Sequence, residues 1–473
     1  MTSNKVYEKL RGYLSHYKEL RNRPALSDSF KSYADYPDQD KYIIAKNKID
    51  SNGTWDFYIE SMLNTIEPWY YDLKEDKHKL LALYHLLNDI DSYLIKGINN
   101  FNIFDTKLFI NTSSYWKRLK CKKQGRKFLP PNYDAFNDGF TTIGLCDERV
   151  GYKVFDLSAH MDKKLNCNPM GRLSSFNISL FPLSKNYPIR FKFTKMLESS
   201  RNIFGIVSDN QCTEQVKDEI NTVFEKIRDN ETHLVCLPEL VLSEDILTYI
   251  NDKLTEASTQ FLILIAGSYH KLDESEEPAG EIYKNTMPIL ICINGKVEKN
   301  LSYDKGVHFH TLVKKGSINP IGKTDFKFPF AETLQECLSS QDLSDDVRIR
   351  EDIKQNSNVL IVRIQEIGNI GFMICKDYIA RDDKLSAAYR GLVDHLFVIS
   401  LNSSKAAMFP EHAAVNIKHR IATFYVNARC FDMENTSPSF YYLPGKVHST
   451  IPENEPSLDF KISIIPSDVE YDK

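Results

Sequence analysis

The sequence predicts an α/β fold, a four-layer α-β-β-α sandwich, for residues 191–473, and a mostly α-helical accessory domain for residues 1–190. Two observations predict the sandwich. Short apolar runs typical of strands alternate with amphipathic segments of helical spacing, and several runs are apolar on both faces. Strands of that kind need a layer on each side. Two packed sheets with helices outside them provide those layers.

Size and composition restrict the class of protein. The chain has 473 residues, enough for two or three domains, with 42% hydrophobic and 26% charged residues as in ordinary globular proteins. A formal net charge of -4 provides no overall attraction to nucleic acid or anionic lipid. The apolar runs are shorter than a bilayer span and the N-terminus lacks the apolar core of a secretory signal, so we expect no membrane partner.

The nine cysteines are scattered singly along the chain, and none of them forms a CxxC pair. An odd number of isolated cysteines argues against a disulfide framework and against a zinc site. We therefore predict a reducing, cytoplasmic setting and no bound metal.

Three apolar stripes at helical spacing predict that residues 1–190 are mostly helical. The first stripe lies within residues 10–17, the second within residues 55–70 and the third within residues 80–94. No catalytic constellation is visible in this region, so the role of the accessory domain is left open.

A basic segment lies in the N-terminal region, where seven of the eleven residues from Lys117 to Lys127 are Lys or Arg. Such a cluster can contact the phosphates of a nucleic acid. A solvated basic loop is the commoner explanation, and the acidic net charge of the whole chain favours it. Nucleic acid is therefore a secondary candidate partner, which would bind through Lys117–Lys127.

The first half of the predicted sandwich alternates strand and helix. Ile203–Val207 is a predicted strand, and Thr213 is a candidate N-cap for a helix with one apolar face. His233–Leu237 is the next predicted strand, Ser243 caps a second helix, and Phe261–Ala266 is a wholly apolar strand. The apolar face of the first helix comprises Val216, Ile220, Val223, Phe224 and Ile227.

The second half is organised around two predicted hairpins. Asn294-Gly295, between Met287–Ile293 and Val297–Tyr303, is a strong two-residue turn signal. The second turn is predicted at Gly368-Asn369, after the strand Val359–Ile364. Two helix–strand pairs complete the pattern: Leu385–Gly391 with His395–Ser400, and Glu411–Arg420 with Thr423–Asn427.

Three reactive residue types stand directly after predicted strands. Glu239 follows the strand that ends at Leu237, Lys305 follows a hairpin strand, and Cys375 follows Ile370–Ile374. Rigid strands that open into loops are frequent places for reacting groups. A thiol nucleophile needs a base and a nearby cation, which the other two residues would supply. Taken singly, each has an ordinary explanation as a buried cysteine or as a surface acid or lysine.

Around these residues the sequence resembles the carbon–nitrogen hydrolase, or nitrilase, superfamily over residues about 195–430. The order and approximate spacing of six motifs carry the resemblance. They are Leu237-Pro-Glu-Leu240, Gly267-Ser268, Lys284-Asn285-Thr286, Asn294-Gly295-Lys296, Tyr303-Asp-Lys305 with His308, and Ile374-Cys-Lys-Asp377. A helix ending at Arg420 and the strand with Tyr425-Val-Asn-Ala428 resemble the family's late helix and strand.

The resemblance implies the sandwich fold and a Glu-Lys-Cys triad of Glu239, Lys305 and Cys375. It implies hydrolysis of a non-peptide carbon–nitrogen bond in a small-molecule amide, nitrile or carbamoyl substrate, through a cysteine thioester and without a cofactor. In that mechanism Glu239 is the base and Lys305 favours the thiolate. Lys305 and the backbone N–H of Lys376 hold the oxyanion. Family members commonly pair through their sandwich faces, so we expect a homo-oligomer.

Two departures from the family pattern leave alternatives open. Many members carry a second glutamate shortly after the lysine, whereas Gly306–Val313 contains no acid, so Glu332 or Glu336 is a candidate replacement. Lys376 stands where an aromatic residue is common, which leaves the substrate class open. The alternative hypothesis is an inactive scaffold that oligomerises and presents the N-terminal domain to a protein or nucleic-acid partner, for example in bacterial defence.

Overall fold

The chain divides into two units in its computed structural model. The first comprises Met1–Glu148 with Ser467–Lys473, and the second comprises Arg149–Pro466. The structure describes residues 3–29, 39–49, 55–96, 102–104, 108–111, 116, 143–146, 150–165, 173, 175–183, 189–198, 203–256, 261–273, 282–308, 310–313, 347–364, 366–380, 384–390, 392–402, 407–429, 438–444, 449–450 and 455–464.

The first unit is a helical assembly with a small antiparallel sheet. Its helices are α1 (Ser3–Arg21), α2 (Pro24–Ser29), α3 (Gln39–Lys46), α4 (Trp55–Tyr70) and α5 (Asp76–Lys96), and its strands are β1 (Asn102–Phe104), β2 (Leu108–Asn111) and β3 (Ile143–Leu145). The three apolar stripes of the sequence lie on α1, α4 and α5, where Leu10, Ile59 and Leu83 are buried. These helices enclose a core of their own because each presents one apolar face to the others.

The second unit mixes helices with long strands. Its helices are α6 (Leu157–Leu165), α7 (Glu214–Asp229), α8 (Glu244–Glu256), α9 (Lys376–Ile379), α10 (Lys384–Tyr389) and α11 (Met408–Lys418). Its strands are β4 (Gly151–Asp156), β5 (Ser175–Leu180), β6 (Phe191–Glu198), β7 (Ile203–Ser208), β8 (Leu234–Cys236), β9 (Phe261–Ile265), β10 (Tyr269–Leu272), β11 (Tyr283–Ile293), β12 (Lys296–Asp304), β13 (His310–Val313), β14 (Val347–Glu351), β15 (Asn358–Ile364), β16 (Gly368–Ile374), β17 (His395–Ser400), β18 (Ala422–Asn427), β19 (Phe440–Tyr442), β20 (Ser449–Thr450) and β21 (Leu458–Ser463). Within the described residues of the whole chain, no helix has both the length and the apolar character needed to cross a bilayer.

The described residues of the second unit form three sheets. Sheet 1 has the order β10-β11-β9-β8-β5-β21, with β12 paired to β11, and sheet 2 has the order β20-β19-β18-β17-β16-β15-β4. Sheet 3 has the order β13-β14-β7-β6. Parallel and antiparallel pairs occur in each of them. The predicted α/β fold class is confirmed as a mixed α/β architecture of several sheets with helices.

Two strands that precede residue 190 belong to the large sheets. β4 pairs in parallel with β15, and β5 lies between β8 and β21. The predicted domain boundary at residues 190 and 191 therefore falls inside the second unit. Sequence periodicity predicts a strand but not the strand that pairs with it when that strand lies far along the chain, as β15 does from β4.

Helix α7 forms as its sequence pattern predicts. Its five buried residues are the predicted apolar face, Val216, Ile220, Val223, Phe224 and Ile227. The Thr213 side chain caps the helix by accepting a hydrogen bond from the Val216 N–H at 3.4 Å. Ser243 caps α8 in the same way, accepting from the Ile246 N–H at 3.3 Å. Both helices pack their apolar faces into one core with the strands of sheet 1.

The two hairpins differ in how well they were predicted. Asn294 and Gly295 connect β11 to β12 with φ angles of 51° and 74°, the positive values that a two-residue turn requires. The second turn was predicted two residues too late, because Gly368 already pairs with Ile364 as the first residue of β16. Gly368 does have a positive φ of 96°, so its backbone freedom is used at the start of the strand.

Gly267 provides a test of how tightly the backbone is packed next to the strand end of β8. Its φ is 88°, and an added Cβ would lie 2.5 Å from the Pro238 carbonyl oxygen and 2.5 Å from a methyl group of Val241. We expect Gly267→Ala to destabilise the protein, with about 1–3 kcal/mol arising from the backbone strain alone. Urea denaturation of the purified variant measures this loss.

The matched control is Gly12→Ala in α1, where no atom lies within 4 Å of the added Cβ. Alanine in a helix interior should stabilise its unit by roughly 0.5–1 kcal/mol. Equal stability of Gly267→Ala and the unchanged protein would contradict the packing described for this turn.

Candidate active site

The three residues singled out in the sequence all lie at strand ends of the second unit. Glu239 lies in the turn after β8, Lys305 follows the last residue of β12, and Cys375 follows the last residue of β16. Hydrogen bonds fix the backbone at the first two of them: next to Glu239, the Leu240 N–H donates to Ser268 Oγ at 3.0 Å, and the Lys305 N–H donates to the Asn285 carbonyl at 2.9 Å. The strands thus bring an acid and an ammonium from sheet 1 towards a sulfur from sheet 2.

The ammonium of Lys305 lies between two carboxylates. Its Nζ is 2.7 Å from Glu239 Oε1 and 2.7 Å from Glu351 Oε2. The three residues are buried, with exposures of 0% for Lys305, 2% for Glu239 and 0% for Glu351. A charge so completely removed from water is tolerated only when it is paired, so this cluster must form as a unit.

Glu351 supplies the second carboxylate, and sequence reasoning did not single it out. It is the last residue of β14 in sheet 3, where it pairs with Ile206 of β7. The available signal was an acid at the end of an alternating strand, Val347–Glu351. That signal is weak, because the residue is far from Lys305 in sequence and no motif connects the two.

Two polar side chains bind the carboxylates from sheet 1. Asn285 Nδ2 donates to Glu351 Oε1 at 2.7 Å and to Glu239 Oε1 at 3.2 Å. His270 Nδ1 accepts a hydrogen bond from the Ser208 N–H at 2.6 Å, so its ring proton is on Nε2 when the ring is neutral. That Nε2 lies 3.1 Å from Glu351 Oε1 and donates to it. Glu351 is therefore held by donors on both oxygens.

Cys375 is presented at a strained turn. Its φ of 42° is in a region that L-residues rarely adopt, and α9 begins at the next residue. Its N–H donates to the Ile399 carbonyl at 2.8 Å, which continues the pairing of β16 with β17. The side chain is half-buried, and the Ser400 hydroxyl donates to its sulfur with an Oγ–Sγ distance of 3.3 Å.

The cluster shifts the pKa values of its charged groups in different directions. Burial alone would lower the pKa of Lys305, but the carboxylates of Glu239 and Glu351 outweigh burial and raise it. Burial acts to raise the pKa of Glu351, but Lys305 and His270 outweigh it and lower that pKa. The pKa of Glu239 is raised, by burial first and also by Glu351, against the opposing effect of Lys305. Glu239 is therefore the carboxylate suited to accept a proton, and Glu351 is the one that stays ionised.

The thiol of Cys375 is protonated in this arrangement. Burial, followed by the charge of Glu239, raises the pKa of Cys375 to about 12, although Lys305 and the Ser400 hydroxyl act to lower it. Lys305 therefore acts in the expected direction, towards the thiolate, but it does not set the resting state of the sulfur. Burial is the largest cause and the charge of Glu239 the second, and together they outweigh the effect of Lys305.

A buried aspartate joins the lysine loop to the cysteine turn. Asp377 Oδ1 accepts hydrogen bonds from the N–H groups of Gly306 at 2.9 Å and Val307 at 2.7 Å, and Oδ2 accepts from the Tyr303 hydroxyl at 2.8 Å. Asp377 lies in α9, two residues after Cys375. Lys376, between them, is half-buried and contributes the first N–H of that helix. This bridge, which we call the Asp377 bridge, couples the positions of Lys305 and Cys375.

Other residues predicted from the sequence lie outside the described part of the chain. These are Glu332, its alternative Glu336, and the basic segment Lys117–Lys127. Within the described part, Glu351 takes the position beside Lys305 for which Glu332 was a candidate.

Comparison with known proteins adds little to this geometry. No family model and no curated protein matches the chain. Among solved structures, the chain is similar to the glutamine-dependent NAD+ synthetase from Acinetobacter baumannii in complex with adenosine diphosphate, with a TM-score of 0.36 and 12% sequence identity. The match covers 61% of this chain and 46% of that one, so the chain spans less than half the length of the synthetase. A likeness this remote carries no functional conclusion.

Replacement of Lys305 tests the charge balance of the cluster. We expect Lys305→Met to destabilise the protein at pH 7 by roughly 3–5 kcal/mol, because two buried carboxylates lose their counter-ion. Their pKa values in the folded variant then lie above the unfolded value, so folding takes up protons and the deficit shrinks as the pH falls from 7 to 5. In the unchanged protein the lowered pKa of Glu351 gives stability that is fully present over this range.

Urea denaturation at pH 7 and pH 5 measures both effects. Lys296→Met is the matched control, because Lys296 is exposed and lies 3.8 Å from Glu298 at the surface. It should leave stability unchanged at either pH. A Lys305→Met deficit that is the same at both pH values would show that the two carboxylates do not carry the charge assigned to them.

Proposed function

We propose that this protein is a hydrolase of a non-peptide carbon–nitrogen bond in a small-molecule amide, nitrile or carbamoyl compound. Cys375 is the nucleophile, Glu239 the general base and acid, and Lys305 the cation that stabilises the developing oxyanion. The observation that carries this proposal is the buried Lys305 ammonium, 2.7 Å from the base candidate Glu239 and electrostatically coupled to the Cys375 sulfur. A nucleophile, a base and a charge-stabilising group together are what acyl transfer through a thiol requires.

The arrangement of the sheets supports the same proposal. We infer that sheets 1 and 2 are the inner layers of the four-layer α-β-β-α sandwich to which the sequence motifs point. Strands such as β9 and β17 are buried along their whole length, as inner layers require. Strands β12 and β15 bring the two sheets into contact.

The first half of the reaction transfers an acyl group to sulfur. Glu239 takes the proton of the Cys375 thiol as the sulfur attacks the substrate carbon, which forms the carbon–sulfur bond. Lys305 and the backbone N–H of Lys376 stabilise the negative charge on the substrate oxygen or nitrogen. For an amide, Glu239 then gives its proton to the leaving nitrogen, the carbon–nitrogen bond breaks, and a thioester remains.

The second half releases the acid. Glu239 takes a proton from a water molecule, whose oxygen attacks the thioester carbon. The carbon–sulfur bond breaks, and the proton returns from Glu239 to the sulfur. The enzyme ends with the thiol and carboxylate with which it began, and no step requires a cofactor.

The charges explain why proton transfer accompanies the attack. A thiol whose pKa is raised to about 12 holds little thiolate at neutral pH. Glu239, whose pKa is raised by its burial, accepts the proton more readily than an exposed glutamate would. Glu351 keeps the Lys305 ammonium charged and in position, which assigns it the supporting role of a second glutamate.

An inactive scaffold remains the second candidate function. The lack of a glutamate directly after Lys305 motivates it, although Glu351 fills that position in space. As a scaffold, the second unit would oligomerise and present the first to a protein or nucleic-acid partner. A homo-oligomer in the cytoplasm belongs to both proposals.

Substitution of the nucleophile and the base separates the two. We expect Cys375→Ala to reduce hydrolysis to background, and Glu239→Gln to lower it roughly a hundred- to ten-thousandfold, because the thiol loses its base. Ammonia or amine release from a panel of small amides, nitriles and ureas measures activity. Cys212→Ala removes another free, half-buried thiol and should change nothing.

A substrate-independent assay uses an electrophilic nitrile that adds to thiols, with the labelled peptide identified by mass spectrometry. Near neutral pH the enzyme should be labelled selectively at Cys375, and Glu239→Gln should lose the label. A Cys375→Ala variant with full hydrolytic activity, or labelling of Cys375 no faster than of Cys212, would decide for the scaffold.

A further inference from the structure

Ser400 stands beside the cysteine because of the strand pairing in sheet 2. It is the last residue of β17, which pairs in parallel with β16 so that Ile399 is opposite Ile374. The next hydrogen bond of the ladder, from the Cys375 N–H to the Ile399 carbonyl at 2.8 Å, fixes the two strand ends relative to each other. The serine is therefore held beside the cysteine, at the carboxyl ends of two neighbouring parallel strands.

The Ser400 hydroxyl contacts the sulfur directly. Its Oγ lies 3.3 Å from Cys375 Sγ and donates to it, and the serine has no exposed surface. A thiol sulfur is a weak acceptor, whereas a thiolate accepts a charge-assisted hydrogen bond that is about twice as strong. A donor at this place thus favours the reactive form over the resting form.

The same strand end also contacts the base. The N–H of Leu401 donates to Glu239 Oε2 at 3.0 Å, while Glu239 Oε1 is bound to Lys305. One dipeptide, Ser400-Leu401, therefore orients the group that loses a proton and the group that receives it. With the hydroxyl donating to the sulfur, the thiol hydrogen is left available for Glu239.

We propose that the Ser400 hydroxyl is a catalytic hydrogen-bond donor that stabilises the thiolate of Cys375 as Glu239 removes its proton. The proposal rests on the assignment of Cys375 as the nucleophile. It adds a residue that none of the sequence motifs includes, and it places a neutral donor 3.3 Å from the sulfur.

The charges around the sulfur leave room for a further donor to stabilise the thiolate. The carboxylates of Glu239 and Glu351 oppose a thiolate, and the ammonium of Lys305 favours it. Burial, and then a charge on Cys375, raise the pKa of the neighbouring Tyr425 phenol, whereas a hydrogen bond with Ser400 lowers it. Lys305 is shared between the two carboxylates, and its effect on the pKa of Cys375 is smaller than the combined effect of burial and Glu239.

Alkylation of the intact protein by iodoacetamide, without substrate, tests the proposal between pH 7 and pH 9. The rate at Cys375 is measured by peptide mass spectrometry relative to Cys212 in the same sample, which cancels differences in reagent and overall folding. Ser400→Ala should slow Cys375 by about three- to tenfold, since the thiolate fraction falls while the remaining thiolate becomes somewhat more nucleophilic. Ser400→Thr keeps the hydroxyl and should restore the rate to within about twofold.

Ser179→Ala is the matched control, because Ser179 is another buried serine whose hydroxyl bonds with Thr232 at 3.0 Å. It should leave the ratio unchanged. An unchanged or faster alkylation of Cys375 in Ser400→Ala overturns the proposal. Equal slowing of that alkylation in Ser400→Ala and Ser400→Thr also overturns it. If the proposed function is wrong, no compound of the substrate panel is hydrolysed. That outcome is distinct from failure of the Ser400 proposal, because alkylation of Cys375 needs no turnover.

Discussion

The second unit depends on the ion cluster in which one ammonium is shared by two carboxylates. Lys305, Glu239 and Glu351 come from three different loops or strands of sheets 1 and 3, and each is buried. None of these charges is tolerable alone in such surroundings, so the sheets must reach their final register for any of them to be compensated. The cluster therefore links the correct assembly of the sheets to the formation of the site.

The backbone supplies much of the precision around this cluster. Donors on the main chain or on buried side chains hold the carboxylates, as Leu401 and Asn285 do for Glu239. Such donors lose little conformational freedom when they bind, because strand pairing has already ordered them. The strain at Cys375 is then borne by a framework that has few other conformations available.

Local patterns predicted elements such as α7 and pointed to three residues of the candidate site, while long-range relations escaped prediction. The face of α7 and the Asn294-Gly295 turn follow from residue type and spacing within a short window. Glu351 could not be found in this way, because its place beside Lys305 depends on how β14 pairs with β7. The resting state of Cys375 likewise depends on more than a local window, since burial and then the charge of Glu239 raise its pKa against the effect of Lys305.

The Asp377 bridge fixes the backbone that follows Lys305 to the helix that follows Cys375. It ties Gly306 and Val307 to the helix that starts after the cysteine, so the lysine is anchored before the chain departs towards β13 and β14. Substitutions between Val307 and β14 then leave the backbone beside Lys305 anchored, whereas β14 itself must keep Glu351 next to Lys305. Foreign sequence grafted into this part of the chain should therefore begin after Val307 and end before β14.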